Sequence, residues 1–174
     1  MKKDIARELK KEATKIGLCN KWIEEWGSPD LDELCDKYVK GIDFCVEHDF
    51  PSCQYMKEHF DGIMQKHGIF VDESFVLTNP GTLVVNGKCN GKVNVNGYGV
   101  SDIYARHDSV LEIIVSGNAR VSVETYDNCV LAVKASGNSK VFVYDHGGCI
   151  KKEGNVIVKN RKDKKGSLNS RHSG

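Results

Sequence analysis

The chain has 174 residues, of which 40% are hydrophobic, and its 25 Lys and Arg against 24 Asp and Glu give a net charge of +1. This length fits one domain or two small ones. No apolar run approaches the length of a membrane span, and the charged start MKKDIARELKKEATK is unlike a signal peptide. Seven cysteines without an export signal predict reduced thiols and a cytoplasmic location.

Residues 1–68 show helical periodicity and are predicted to form three or four helices. Ser28-Pro29-Asp30 is typical of a helix start, with Ser28 as the cap, and a broad apolar stripe then runs from Leu31 to Val46. The segment is short for an independent core, so we expect it to cap the open end of the domain that follows. A helix-turn-helix DNA reader is the alternative, which the acidic composition disfavours.

A ten-residue repeat begins at Gly87 and runs through six copies to His146, followed by a broken copy, GGCIKKEGNV. Each copy opens on turn-forming residues and then alternates apolar and polar residues. The seventh place is the most uniform and is β-branched throughout: Val93, Ile103, Ile113, Val123, Val133 and Val143. A fixed period of this kind predicts a solenoid.

Ten residues are too few to close a coil, so two copies are predicted to form each coil. The expected fold is mainly β with an α-helical cap: a right-handed parallel β-helix over residues 69–158. A meander of hairpins is the alternative, which the absence of Asn-Gly hairpin turns disfavours. The third place is small in every copy and is predicted to line the core: Cys89, Gly99, Ser109, Ala119, Cys129, Ser139 and Cys149.

Residues 159–174 are predicted to form a disordered basic tail, because the last 24 residues of the chain carry eight Lys and Arg against two Asp and Glu. Such a tail usually improves solubility. It is also the one part of the chain from which we expect any contact with nucleic acid.

The polar places of the strands separate into two surfaces when they are sorted by coil face. One surface, which includes Asn94, Ile114 and Lys134, is predicted to be plain and polar. The other is rich in aromatic residues and is predicted to bind a partner. Its residues are Tyr104, Arg106, Glu124, Tyr126, Phe142, Tyr144 and His146. Cross-strand packing that only stabilises the sheet is the alternative role for these side chains.

Six potential zinc ligands fall within residues 35–67 of the helical segment, but their spacing follows no metal-binding pattern. They are Cys35, Cys45, His48, Cys53, His59 and His67. In the repeat, His146 lies three residues from Cys149, which we expect to point inward and away from it. We therefore predict no metal, no cofactor and no catalytic residues.

Several segments resemble small uncharacterised β-helix proteins with a helical N-terminal cap, found in gut Bacteroides-type bacteria and their mobile elements or phages. The segments are KEATKIGLCNKWIEEWGSPDLDELCDKYVKGIDFC, HGIFVDE, NPGT, DIYARHDS and KVFVYDHGG. The repeat by itself is also similar to that of bactofilins, which are polymerising β-helix proteins. The first resemblance implies the context of a mobile element or phage, and with it a role such as blocking a host defence.

Together these features predict a non-enzymatic cytoplasmic interaction or assembly module that binds a protein partner. Binding is expected through the aromatic surface, or by self-association into a homo-oligomer. The alternative is a carbohydrate-binding or polysaccharide-cleaving β-helix protein, an analogy that rests on the fold alone.

Overall fold

The computed structural model describes residues 2–162, which divide into a helical unit and a β unit between His67 and Gly68. The predicted fold class, a helical segment followed by a parallel β-solenoid, is confirmed. The right-handed sense of the coil stays a prediction. Most of the predicted tail, residues 163–174, lies outside the described residues. Among the helices described, none is long and apolar enough to cross a membrane.

The helical unit contains five α-helices and one 3₁₀-helix within the described range, more than the three or four predicted. They are α1 Lys2–Lys15, α2 Asn20–Glu24, α3 Leu31–Lys40, α4 Ile42–His48, α5 Cys53–Phe60 and the 3₁₀-helix Met64–His67. The difference arises partly at Gly41, whose φ of −100° and ψ of 29° interrupt the single helix expected from the apolar stripe. A Cβ on Gly41 would lie 3.6 Å from the ring of Trp22, an ordinary van der Waals contact, so the indole packs directly beside this break.

Helix α3 begins with a reciprocal capping box. Asp30 Oδ1 accepts a hydrogen bond from the Glu33 amide at 2.9 Å, and the Asp30 amide donates to Glu33 Oε2 at 3.1 Å. The prediction that Ser28 caps this helix is therefore wrong by two residues, because Asp30 places its carboxylate closer to the unpaired amides. At α5, Ser52 accepts from the Tyr55 amide at 3.1 Å and so caps the start of that helix.

Each helix of this unit except α2 contributes buried apolar side chains. They include Leu9 and Ala13 of α1, Leu34, Cys35 and Tyr38 of α3, Ile42 and Cys45 of α4, and Met56 and Phe60 of α5. This spacing places the buried residues on one side of each helix, as the apolar stripes predicted.

The β unit contains eleven described strands arranged in two parallel sheets. The strands are β1 Ile69–Val71, β2 Ser74–Thr78, β3 Thr82–Asn86, β4 Asn90–Val95, β5 Val100–Ala105, β6 Val110–Val115, β7 Arg120–Thr125, β8 Val130–Ala135, β9 Lys140–Asp145, β10 Cys149–Gly154 and β11 Val156–Asn160. One sheet has six strands in the order β1-β3-β5-β7-β9-β11, and the other has five in the order β10-β8-β6-β4-β2. Odd and even strands therefore lie on opposite sides of the coil.

The register between β4 and β9 confirms the twenty-residue coil. Val110 pairs with Val130 and Ile103 with Val123, each separated by twenty residues along the chain. The strands are parallel throughout, so the alternative of a hairpin meander is excluded. The whole seventh-place column lies in the core and is 1% exposed or less.

The corners use the left-handed backbone conformation at the first place of each copy. Gly97, Gly117 and Gly137 adopt it without strain, while His107 and Asp127 have φ values of 59° and 58°. Those two side chains are themselves used in the corner: His107 Nδ1 accepts from the Gly87 amide at 2.8 Å, and Asp127 Oδ2 accepts from the His107 amide at 3.0 Å.

The last coil departs from the repeat at Gly147 and Gly148. Cys149 pairs with Val130, an offset of nineteen residues, so the position above Cys129 falls to Gly148. A Cβ there would lie 2.6 Å from the Cys129 carbonyl oxygen, which only glycine avoids. Cys149 is consequently exposed, and the prediction that it points inward is wrong.

The same shift places Lys152 opposite Val133, where earlier coils carry a buried β-branched residue. Its ammonium donates to the Val156 carbonyl oxygen at 3.4 Å. A charge at an inward place is one way in which natural sheets prevent edge-to-edge pairing. Strand β11 then closes the six-stranded sheet and extends to Asn160.

Candidate functional site

The outer surface of the six-stranded sheet carries four of the predicted partner-binding residues. Tyr104, Glu124 and Tyr144 are register partners across β5, β7 and β9 and form one row. Phe142 lies two residues before Tyr144 and therefore on the same side of β9. All four side chains are partly exposed, so the structure brings them together on one accessible surface.

Tyr126 and His146 follow β7 and β9 and form a compact cluster with Glu124. Their rings stack with centroids 4.6 Å apart and planes 5° from parallel. His146 Nε2 lies 3.1 Å from Glu124 Oε1, and the Tyr126 hydroxyl donates to the same oxygen at 3.3 Å. The Glu124 and His146 side chains are only 13% and 14% exposed. The cluster thus fixes the corner, and its carboxylate is already engaged by two neighbours.

Arg106 and Tyr126 were predicted to point outward, and this prediction is wrong. The two residues are only 3% and 7% exposed. Arg106 Nη1 donates to Asn86 Oδ1 at 2.8 Å, across one coil. Both residues occupy the tenth place of the repeat, just beyond the last residue of a strand. The alternation of a strand ends where the chain turns, so side chains at this place stack along the corner instead. The two residues support the surface rather than form it.

A group of cations surrounds the exposed rings of β9. Lys140 Nζ lies 4.9 Å from the ring centroid of Phe142, and Lys159 Nζ lies 5.3 Å from Phe142 and 5.7 Å from Tyr144. The guanidinium carbon of Arg161 lies 5.6 Å from the ring centroid of Tyr144. These five residues, Lys140, Phe142, Tyr144, Lys159 and Arg161, form the cation–aromatic patch.

Two carboxylates beside the patch are already paired: Glu124, the register partner of Tyr144, and Asp145, the residue after it. Glu124 contacts Tyr126 and His146, and Asp145 lies 3.4 Å from Lys162 Nζ through its Oδ2. Ring faces are electron-rich and attract the surrounding cations, each contact being worth roughly 0.5–1 kcal/mol at an exposed site. The patch therefore combines flat apolar area with a local excess of positive charge.

The three cations of the patch were missed at the sequence level for two different reasons. Lys140 is at the fourth place, which also faces outward but was not assigned to either surface. Lys159 and Arg161 follow the broken copy and were assigned to the tail. Lys159 nevertheless lies in β11, where it is the register partner of Tyr144 of β9. Extending the alternation one step back from the sixth place identifies Lys140.

The outer surface of the five-stranded sheet is less polar than predicted. Its fourth-place column contains Val110 and Val130, which are 45% and 37% exposed, and then the exposed Cys149. Val110 pairs with Val130 and Val130 with Cys149, so the three form a continuous apolar row. Nearby, Lys134 Nζ lies 3.7 Å from Glu153 Oε2. The fourth place, which the prediction did not assign to either surface, therefore makes this surface more apolar than expected, and Ile114 stands between Asn94 and Lys134 at the eighth place.

His67 and Cys35 of the helical unit each have close neighbours within that unit. Within residues 2–162, no three His, Cys, Asp or Glu side chains come together as a metal site. His67 contacts two carboxylates, with Nε2 2.8 Å from Asp32 Oδ1 and Nδ1 3.1 Å from Asp36 Oδ1. Burial raises the pKa of the Cys35 thiol to about 12. The side chain therefore stays protonated and packs as a small apolar group.

The chain matches no protein-family model, no curated protein and no solved structure.

Proposed function

We propose that the chain is a non-enzymatic cytoplasmic binding module of a mobile element or phage that holds an acidic protein partner on the cation–aromatic patch. The observation that carries this proposal is the convergence of three cations on the two partly exposed rings of β9. The family resemblance favours a role in which this binding blocks a host defence.

The residue types of the patch suit a protein interface. Aromatic rings and Arg are enriched at interface centres, where truncating one anchor costs about 2 kcal/mol or more. Lysines at the rim attract a partner of opposite charge and accelerate association. An acidic partner would meet both features at once, with its carboxylates on the cations and its aliphatic stems on Phe142 and Tyr144.

Self-association is less favoured by this geometry than was expected from the sequence. A two-fold contact between identical patches would bring Lys140, Lys159 and Arg161 close to their own copies, and like charges oppose such a contact. Lys152 disfavours stacking through the last coil of the solenoid, because it places an ammonium where the next coil would need an apolar side chain.

The proposal is tested by fluorescence anisotropy with a labelled oligoglutamate as the probe for an acidic protein surface. The patch variant replaces Phe142, Tyr144 and Arg161 with Ser. The control variant makes two apolar and one cationic replacement on the five-stranded sheet, at Val110, Val130 and Lys134. We expect the oligoglutamate to bind the wild type and the control alike, and to bind the patch variant at least tenfold more weakly.

Two further probes distinguish the alternatives. An oligothymidylate of equal charge that binds more tightly than the oligoglutamate, with the same loss in the patch variant, would replace the protein partner with single-stranded nucleic acid. A neutral oligosaccharide that binds with that same loss would favour the carbohydrate-binding alternative. Equal binding of all probes to the patch and control variants would refute the patch as a binding site.

A further inference from the structure

The helical unit contains a cavity of about 490 Å³ that the proposed function does not use. Its walls come from α1 to α4 and from the residues that follow α4, all within residues 9–51. Small-molecule sites in proteins typically fall between about 300 and 1,000 Å³ and are mostly apolar. The size and position of the cavity are therefore those of a ligand site contained within one unit.

Aromatic side chains dominate the cavity wall. Trp22, Trp26, Tyr38, Phe44 and Phe50 all line it, together with aliphatic residues of α1 and α3. Trp22, Tyr38 and Phe44 lie in α2, α3 and α4, and Trp26 and Phe50 lie in the segments after α2 and α4. The wall offers flat apolar contact area of the kind that binds an aromatic ring.

Two hydrogen-bond donors of the cavity wall have no acceptor within the described part of the chain. The Nε1–H of Trp26 is buried and unpaired. Lys37 Nζ lies 5.5 Å from the ring centroid of Trp26 and 5.8 Å from that of Trp22, and it makes no ion pair with any described carboxylate. Both groups can only donate, so a ligand that satisfies them must offer acceptors.

The remaining polar groups of the wall limit the charge of that ligand. Lys40 adds a second cation from α3, whereas Asp43 and Glu47 of α4 contribute two carboxylates. A polyanion such as a nucleotide would be repelled by the carboxylates, while a single negative charge can be placed on the α3 lysines.

We propose that this cavity binds a small aromatic monoanion, with its rings against the two indoles and its anionic group on Lys37. The inference does not depend on the proposed function, since it concerns a different unit and different residues.

The test uses two commercial dyes that differ only by a sulfonate. 1-Anilinonaphthalene-8-sulfonate is the aromatic monoanion, and N-phenyl-1-naphthylamine is its neutral counterpart. The readout is quenching of tryptophan fluorescence, because the two tryptophans of the chain both line the cavity. Dye that binds the solenoid far from the indoles would contribute little to this signal.

The Lys37→Met variant keeps the apolar stem of the side chain and removes its charge. We expect the sulfonate dye to bind this variant about tenfold more weakly, as for the loss of one charge-assisted contact. The affinity of Lys37→Met for the neutral dye should remain within about twofold of the wild-type value, because the neutral dye makes no contact that depends on the lysine charge. Lys11→Met, an exposed replacement on α1 outside the cavity, should leave the affinities of both dyes unchanged.

Three results would overturn the inference. The first is saturation with either dye that leaves tryptophan fluorescence unquenched. The second is an equal loss of affinity for both dyes in Lys37→Met, which would indicate an apolar site without charge selection. The third is a sulfonate affinity that Lys37→Met leaves unchanged. Helical circular dichroism of the variant establishes that any loss comes from the site and not from unfolding.

Discussion

Gly91 of β4 is expected to tolerate no side chain, because the ring of Phe75 fills the space beside it. Phe75 and Gly91 are register partners in β2 and β4. A Cβ on Gly91 would collide with Cζ of Phe75 and would lie 2.8 Å from Cδ2 of Leu111. The ring of Phe75 is also stacked on Phe70, with centroids 4.4 Å apart, so it has little room to withdraw.

The size of the effect follows from this geometry. Gly91→Ala should destabilise the solenoid by about 1–3 kcal/mol, the usual cost of overpacking a core. Phe75→Leu alone should cost under about 1.5 kcal/mol, since it is a modest change of volume. In the double variant the smaller leucine makes room for the new methyl group, so we expect it to be more stable than the sum of the single effects by roughly 1 kcal/mol.

Urea unfolding followed by far-ultraviolet circular dichroism measures these differences as shifts of the midpoint. Gly81→Ala is the matched control, because a Cβ on Gly81 would meet no atom within 4 Å and its φ is ordinary. This control should be neutral, or more stable by up to about 1 kcal/mol. Equal effects of Gly91→Ala and Gly81→Ala, or strict additivity in the double variant, would refute the register of β2 against β4.

Three further predictions concern the thiols, the last coil and the helical unit. Burial raises the pKa of Cys129 to about 11, so roughly one thousandth of it is thiolate at pH 8. Ellman's reagent should therefore label the exposed Cys149 in the native protein and Cys129 only after unfolding. A Cys149→Ser variant that loses no fast-reacting thiol would contradict the shift at Gly148. Lys152→Val should raise the mass measured by light scattering, because it restores an apolar inward place beside an open sheet edge, whereas an unchanged mass would mean that Lys152 is not what protects this end. The hydrogen bond from His67 holds the pKa of Asp32 below its ordinary value of 3.8. The wild type should therefore be more stable than Asp32→Asn above that pH, and it should lose this advantage as the pH falls through the lowered pKa. A difference in urea midpoint that stays constant between about pH 5 and about pH 2 would argue against this pairing.

The central coils could be predicted from the sequence because their spacing never varies. A fixed decade with β-branched residues at the seventh place, such as Ile113 and Val133, determines the strands, the register and the buried side of each strand together. The corner chemistry was equally visible, since Gly, His or Asp at the first place supplies the left-handed residue.

The two ends of the solenoid could not be predicted because their strands pair at offsets other than twenty residues. Strand β1 pairs with β3 at an offset of fifteen residues, as in Ile69 with Val84, and β2 pairs with β4 at an offset of sixteen. At the other end, the close approach of Gly148 to Cys129 shifts β10 by one residue relative to β8, and β11 then pairs with β9 at an offset of fifteen residues. Such local contacts leave no periodic signal in the sequence.

The aromatic surface was predicted in outline but not in its chemistry. The alternation correctly placed Tyr104, Phe142 and Tyr144 on one side of the sheet. It failed at the tenth place, where Arg106 and Tyr126 follow the corner, since a period of two applies only within a strand. Two of the cations over the rings, Lys159 and Arg161, lie in β11 or just after it, beyond the last recognisable copy.

The most direct test of the binding function is capture of the natural partner by tagged protein from a lysate of the cells that encode the chain. Wild type, the patch variant and the control variant are compared side by side, with each bound protein quantified by mass spectrometry. We predict a partner that the wild type and the control variant retain equally, that the patch variant loses, and that added salt releases because the contact depends on charge. A partner retained equally by the patch variant would contradict the central claim and would place the interface elsewhere on the chain.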